Sequence, residues 1–446
     1  MASGEGPLTR RRPPRLRFFA ALVLVACGAS LFAIVFRESI TWVFNHVYPA
    51  DDVLDAFRTL PLAARVVIPA VGGLGAGALS ALAARKRVGA GVGDVMEAVV
   101  LGQPEIPLGS TTLKAFGSWC AIVAGGSIGR EGPLIQFGGA LASFVGKRFG
   151  ITERRRRALI AAGTAAGFAA AYNTPFAAVL FVTGVVTGVE ALGVVLPTIL
   201  AAAIATSLTR LAVGPGPLYG YHPFALDSQW ELVVHLLLGV LAGFVGVAFM
   251  RVLRSSEQGF RALPLNRPLR AALGGAIVGV MACAVPEVTG NGYEVIVEVL
   301  ASPMSVGFLA LLLVSKTMAT SASVGSGSPG GVFTPSLVLG ATLGAIVAGV
   351  AGWVAPSAGL GAAGGYALVG MAAVVAATTH APLMAAVLVF ELSGDYAIAL
   401  PLLVATSAAT AVARWCEPTS IYMQELSPRG LAWEITLEGR RLRAEE

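Results

Sequence analysis

Apolar stretches recur from Phe18 to Val412, and hardly any of them holds a charged side chain. In lipid every backbone N–H and C=O must find a partner within the protein, so only helices and closed barrels can span. The sequence lacks the short alternating segments of a barrel. It therefore reads as an all-α, polytopic membrane protein. Charge supports this: 13% of residues are Asp, Glu, Lys or Arg, against about 25% in a soluble domain. The 55 glycines suit close helix contacts and broken helices.

The basic residues fall between the apolar runs. Arg10 to Arg12, Arg15, Arg17 and Arg85-Lys86-Arg87 form the first groups, and Lys147-Arg148 with Arg154 to Arg157 the next. Arg251, Arg254, Arg261, Arg267 and Arg270 follow, then Arg440, Arg441 and Arg443. By the positive-inside rule these segments and both termini face the cytoplasm. The connection from Val213 to Trp230 contains no Lys or Arg and is expected to face outward. The net charge of +6 thus marks topology, and no nucleic-acid partner is implied. Arg10-Arg11-Arg12 before an apolar run looks like an export signal, but the run continues through Phe36, so it reads as an uncleaved first helix. Cys27, Cys120, Cys283 and Cys416 are scattered singly, as are His46, His222, His235 and His380. Neither set has metal or redox spacing, so no metal and no cofactor is expected.

The pattern divides into a basic tail (1–17), a first membrane repeat (18–212), an outward linker (213–230), a second membrane repeat (231–416) and a last short helix with a cytoplasmic tail (417–446). The first span is read as Phe18–Phe36. The halves match residue by residue. Lys114, Gly125, Gly129, Pro133, Gly138 and Leu141 recur 202 positions later as Lys316, Gly327, Gly331, Pro335, Gly340 and Leu343. Gly89, Gly91 and Glu97 recur at an offset of 201 as Gly290, Gly292 and Glu298, and Ala169-Ala170 with Pro175 recurs at 207 as Ala376-Ala377 with Pro382. A half that starts inside and ends outside crosses an odd number of times, so its copy is inverted. Short, Gly/Pro-interrupted segments at matching places in such repeats point to a site near the midplane.

The stretch Gly129-Arg130-Glu131-Gly132-Pro133 is the most suggestive of these. A carboxylate at membrane depth is costly unless it faces a partner or a wet path. Proline suits the first turn of a helix, and backbone N–H groups at a helix N-terminus bind anions. Glu131 thus reads either as a group hanging over a pore or as a local helix cap in a tight turn.

Together Gly129-Arg130-Glu131-Gly132-Pro133, Gly330-Gly331-Val332-Phe333-Thr334-Pro335 and Ser420-Ile421-Tyr422 resemble the signature elements of the CLC chloride channel and transporter family. Ala376-Ala377-Thr378-Thr379-His380-Ala381-Pro382 and Phe390-Glu391-Leu392-Ser393-Gly394-Asp395-Tyr396 resemble its bacterial ClcB-type branch. The resemblance covers about residues 18–425. It implies the CLC fold, a homodimer with one pore per subunit in a bacterial inner membrane, and chloride as the transported ion. Glu131 matches the gating glutamate, a tethered competitor for the anion site. Gly129, Arg130, Gly132, Gly331, Val332 and Phe333 fall in the anion-binding motifs, and Tyr422 matches a tyrosine whose hydroxyl donates to the anion. Without the motifs, Tyr422 would read as an interfacial anchor and Phe333 as core.

Two departures stand out. The family's first signature is usually Gly-Ser-Gly-Ile-Pro, whereas this chain has Gly89-Ala90-Gly91-Val92-Gly93. Ala90, in the anion-binding position, has no hydroxyl, and Gly93 stands where the proline would be. Proton-coupled members carry an intracellular-side glutamate, and the matching position here is Val185, with Glu190 five residues further on. The expected function is therefore a chloride channel of the voltage-gated type. A chloride/proton exchanger of the same fold, with protons as a second partner, is the alternative. An intramembrane enzyme using Glu131, His380 or Glu391 is a remote third reading, and the chain is not expected to be an enzyme. Lys114 and Lys316 would either raise the anion's local potential or pair and snorkel. Glu391 and Asp395 read as structural groups at a helix end, and His380 as part of a loop. With 24 residues after Tyr422, no cytoplasmic nucleotide-binding module is expected.

Overall fold

The computed structural model describes residues 15–84, 91–100, 105–188, 192–220, 230–354, 361–426, 431–436 and 439–444. Ala90, Glu190, the Arg85 to Arg87 cluster and most of the basic tail lie outside them. The first half comprises α1 (Arg15–Val47), α2 (Val53–Thr59), α3 (Leu62–Ala84), α4 (Val92–Val100), α5 (Leu108–Val123), α6 (Glu131–Arg148), α7 (Glu153–Tyr172), α8 (Pro175–Phe181) and α9 (Leu192–Val213). The second comprises α10 (Glu231–Ala262), α11 (Arg267–Ala284), α12 (Tyr293–Ala301), α13 (Val306–Gly325), α14 (Phe333–Val354), α15 (Ala363–Thr379), α16 (Pro382–Ser393) and α17 (Ala399–Cys416). A four-residue helix, α18 (Ile421–Gln424), follows. Among the described residues, eight helical segments are long and apolar enough to cross a membrane.

Two boundaries differ from the sequence reading. α1 continues past Phe36 to Val47, so at 33 residues it is about 50 Å long and exceeds the ~30 Å hydrocarbon thickness. The sequence pattern ended it where Arg37 and Glu38 begin, but helix propagation costs little once a span is formed. The tail is not featureless either: β1 (Leu431–Thr436) pairs antiparallel with β2 (Gly439–Ala444), a small addition to an otherwise all-α chain. In β1, Leu431, Trp433 and Ile435 alternate with small or polar neighbours, the period-two pattern of a strand.

The inverted repeats are visible as mirrored contacts. α3 and α11 cross at glycines 202 positions apart: a Cβ on Gly73 would strike the Ala271 carbonyl, and one on Gly275 the Pro69 carbonyl. α6 crosses α7 where Gly138 and Gly163 present bare backbone to each other, and α14 crosses α15 in the same way at Gly340 and Gly370. Membrane helices gain little from apolar burial against each other, so close approach at small residues supplies the packing energy. α7 and α15 end alike, with Asn173 (φ 60°) and His380 (φ 57°) in the left-handed conformation before Pro175 and Pro382. α7 and α15 are also the most enclosed helices, buried nearly throughout, and the four short or broken helices α4, α8, α12 and α16 pack around them.

Candidate functional site

α5 and α13 each stop at a glycine with positive φ, Gly125 (81°) and Gly327 (98°), a conformation open to glycine at little cost. Each segment then turns back into the fold, and the two meet. There Gly129 N–H donates to the Gly331 carbonyl at 2.7 Å and Gly331 N–H to the Gly129 carbonyl at 2.8 Å. This reciprocal pair holds the N-termini of α6 and α14 side by side. A Cβ on Gly132 would sit 3.4 Å from Gly331 Cα, in ordinary contact across the pair. The N–H groups of Gly129 and Gly331, expected in the anion site, are engaged with each other's carbonyls, and the donors that reach the Glu131 carboxylate come from Phe333 and Thr334.

Glu131 is the first residue of α6, yet its carboxylate does not cap its own helix. It crosses to the other repeat. Oε1 accepts from Phe333 N–H at 2.9 Å and Thr334 N–H at 3.1 Å, while Oε2 accepts from the Thr334 hydroxyl at 2.8 Å. The residue is 1% exposed. A negative group is thus seated on the positive end of α14, where backbone donors and helix dipole both favour an anion. The reading of Glu131 as a local turn cap does not describe this geometry.

Two groups around that carboxylate escaped the sequence reading. Tyr172 and Thr334 are hydroxyl partners at 2.8 Å. Thr334 has one hydroxyl proton, and it is given to Glu131, so Tyr172 donates and Thr334 accepts. Thr334 lies inside the Gly330 to Pro335 motif, and a Thr in the first turn of a helix is a recognisable donor. Tyr172 had no sequence signal, since only the packing of α7 against α14 brings it there. The rings of Phe168, Tyr172 and Phe181 surround Phe333 with centroid separations of 5.5, 5.6 and 6.4 Å. Phe333 is therefore core by its side chain, while its N–H is given to Glu131.

Tyr422 is buried, with its ring edge-on to Phe181 at 5.8 Å. It is not an interfacial anchor. Its hydroxyl makes no hydrogen bond among the described residues. Val332 is buried between Gly331 and Phe333. Arg130, half-buried, lines with Arg37, Tyr293 and Glu294 a cavity of about 270 Å³ beside the α6 N-terminus. Val185 is 1% exposed within Val182–Thr187, a π-helical turn that continues α8.

The remaining charged groups serve the frame. Lys316 Nζ donates to the carbonyls of Val288, Thr289 and Gly290 at 2.9, 3.3 and 3.1 Å, so it ties the turn before α12 to α13. Lys114 is buried at the equivalent place. Glu391 accepts from Phe176 and Ala177 N–H at 3.1 and 2.8 Å, capping α8. Asp395 accepts from Ala397 N–H at 2.9 Å in the turn after α16. The His380 carbonyl accepts from Arg414. Glu131, Glu391 and His380 are each committed to a different helix end. Arg58 of α2 reaches Glu298 and Glu287 of the second half at 2.6 and 2.7 Å. The hydrogen bond to Glu298, more than the one to Glu287, pushes the Arg58 pKa up.

The profile described as voltage gated chloride channel matches residues 72–414. The chain is similar to the voltage-gated ClC-type chloride channel ClcB of Citrobacter koseri, 34% identical over 414 residues, covering 90% of this chain and 97% of that one. It is also similar to the protein of the same description from Yersinia pseudotuberculosis, 38% identical over 363 residues, covering 80% and 87%. In structure it is similar to a slow cyanobacterial Cl−/H+ antiporter, with a TM-score of 0.83 and 25% identity over 93% of this chain and 98% of that one. A CLC-type fluoride/proton antiporter shares the fold at a TM-score of 0.71 and 23% identity, covering 91% and 96%.

Proposed function

This chain belongs to the voltage-gated chloride channel family, and we propose that within it the protein conducts chloride through the gap between α6 and α14, gated by Glu131. The observation that carries this reading is the Glu131 carboxylate seated on the Phe333 and Thr334 N–H groups. A tethered carboxylate and a free anion compete for the same donors. Protonation removes the negative charge, weakens the hold of the α14 N-terminus on the side chain and frees the donors. Tyr422, with an uncommitted hydroxyl beyond the aromatic cluster, is the next donor along the path. The anion needs no cationic ligand there, because backbone N–H groups and a hydroxyl suffice. The protein works as a homodimer in a bacterial inner membrane with both termini cytoplasmic.

Proton-coupled exchange is the second reading, favoured by the similarity to a Cl−/H+ antiporter. Against it stands the turn Val182–Thr187, where the resemblance expects a carboxylate and Val185 is buried instead. Purified protein in proteoliposomes, with the voltage clamped by valinomycin and potassium, decides between them. Chloride flux without coupled proton movement is the expected result. Proton movement against its own gradient, lost in Glu131→Gln, would establish exchange. Flux of neither ion would overturn both readings.

A further inference from the structure

The N-terminus of α4 also holds a carboxylate, and it comes from the far end of the chain. Gly93 N–H, in the first turn of α4, donates to Glu425 Oε2 at 3.1 Å. The same oxygen lies 2.8 Å from where a Cβ on Gly91 would sit and 3.1 Å from one on Gly93. Gly91 has φ +120°, so a side chain there would be strained as well as obstructive. A bulkier pair of residues would push the carboxylate out. Proline at position 93 would remove one N–H that holds it. The departure of Gly93 from the family signature thus has a local consequence, because it creates a donor and the room for its acceptor.

Glu425 stands one helical turn after Tyr422, and residues three apart share a face. The Tyr422 hydroxyl, on a residue 4% exposed, makes no hydrogen bond among the described residues. Glu131 sits on α14 at one end of the series Phe333, Phe181, Tyr422, and Glu425 sits on α4 at the other. The two arrangements share one chemistry: a carboxylate from one part of the chain seated on the N-terminus of a helix from another. We propose that Glu425 is an inner gating carboxylate, a tethered anion on α4 that an anion entering from the cytoplasmic side must displace. The inference rests on the chloride path proposed above, with α4 beginning on the cytoplasmic side by the positive-inside rule.

A structural cap and a competitor respond differently to loss of charge. Glu425→Gln keeps an oxygen that accepts from Gly93 N–H and removes the charge. Gly93→Ala leaves Glu425 and the Gly93 N–H intact and places a methyl group 3.1 Å from Oε2 and 3.3 Å from the Glu425 Cβ, which crowds the carboxylate off its seat. Chloride titrated calorimetrically into the full-length purified protein is the readout, with Glu131→Gln alongside. Both variants are expected to bind chloride several-fold more tightly than the unsubstituted protein, since the binding-competent fraction rises. In proteoliposomes the cytoplasmic chloride concentration for half-maximal flux should fall in step. Unchanged affinity in both, with Glu131→Gln tightening as expected, would overturn the inner gate and leave the outer one standing. No chloride binding by any of the four proteins would overturn the proposed path and the inner gate with it.

Discussion

Gly129 and Gly331 exchange both of their backbone hydrogen bonds, at 2.7 and 2.8 Å, although they lie 202 positions apart. A reciprocal pair between repeat-equivalent residues is what a local two-fold axis produces, since each residue sees the other as its own image. The same axis relates Gly73 to Gly275. It brings the N-termini of α6 and α14 together and then breaks down by one residue. Glu131 reaches across to α14, whereas its equivalent in the second repeat, Phe333, contributes only its N–H. The site is therefore asymmetric on a symmetric frame: one repeat supplies the carboxylate and the other the donors.

The Glu131 geometry predicts the response to losing its charge. Glu131→Gln should raise chloride flux several-fold at neutral pH and remove most of its dependence on external pH. A charged carboxylate binds the α14 donors more strongly than an amide does. Flux measured across a series of external pH values checks this, and a profile like the unsubstituted protein's would exclude Glu131 as the gate.

Tyr422→Phe should leave the fold intact, because the ring and its contact with Phe181 are kept. It should weaken chloride binding by the value of one hydrogen bond to a charged group, about 1.5–3 kcal/mol. Equal affinity of the two proteins for chloride, bromide and nitrate would return Tyr422 to a packing role.

Lys316→Met is expected to act on stability. It leaves the carbonyls of Val288, Thr289 and Gly290 without their donor, and a buried unsatisfied group costs about 1–3 kcal/mol. Thermal unfolding in detergent should show a clear loss, with chloride affinity unchanged in the folded fraction. Preserved stability with weakened affinity would instead make Lys316 a contributor to the anion's potential.

Gly138→Ala and Gly340→Ala should be comparably damaging, because each places a methyl group on the carbonyl of the facing glycine, Gly163 or Gly370. Overpacking typically costs about 1–3 kcal/mol, and a backbone obstacle cannot change rotamer to relieve it. Expression as a monodisperse protein and the unfolding temperature measure the effect. Tolerance of either substitution would mean that the α6–α7 or α14–α15 crossing has slack.

The solvent, the helical class, the repeat and its inversion were legible in the order of residues. Each depends on local or additive physics: apolar runs long enough to span, basic residues excluded from the lipid, and a glycine and proline register repeated at fixed offsets. Glu131 stood out for a similar reason, because a carboxylate beside glycines in a membrane segment needs an explanation that is independent of its neighbours in space. Which helix it would cap was not legible. A local turn and a cross-repeat contact have the same sequence, and only the pairing of Gly129 with Gly331 sets the distance to Phe333 and Thr334. Tyr172 and Glu425 were invisible for the same reason. Their importance comes from helices that meet across 162 positions in one case and 332 in the other. The chemistry available to the chain follows from composition and spacing, whereas the assignment of each carboxylate to a helix N-terminus follows from packing, since hydrogen bonds form only between groups that the fold has already brought within about 3 Å.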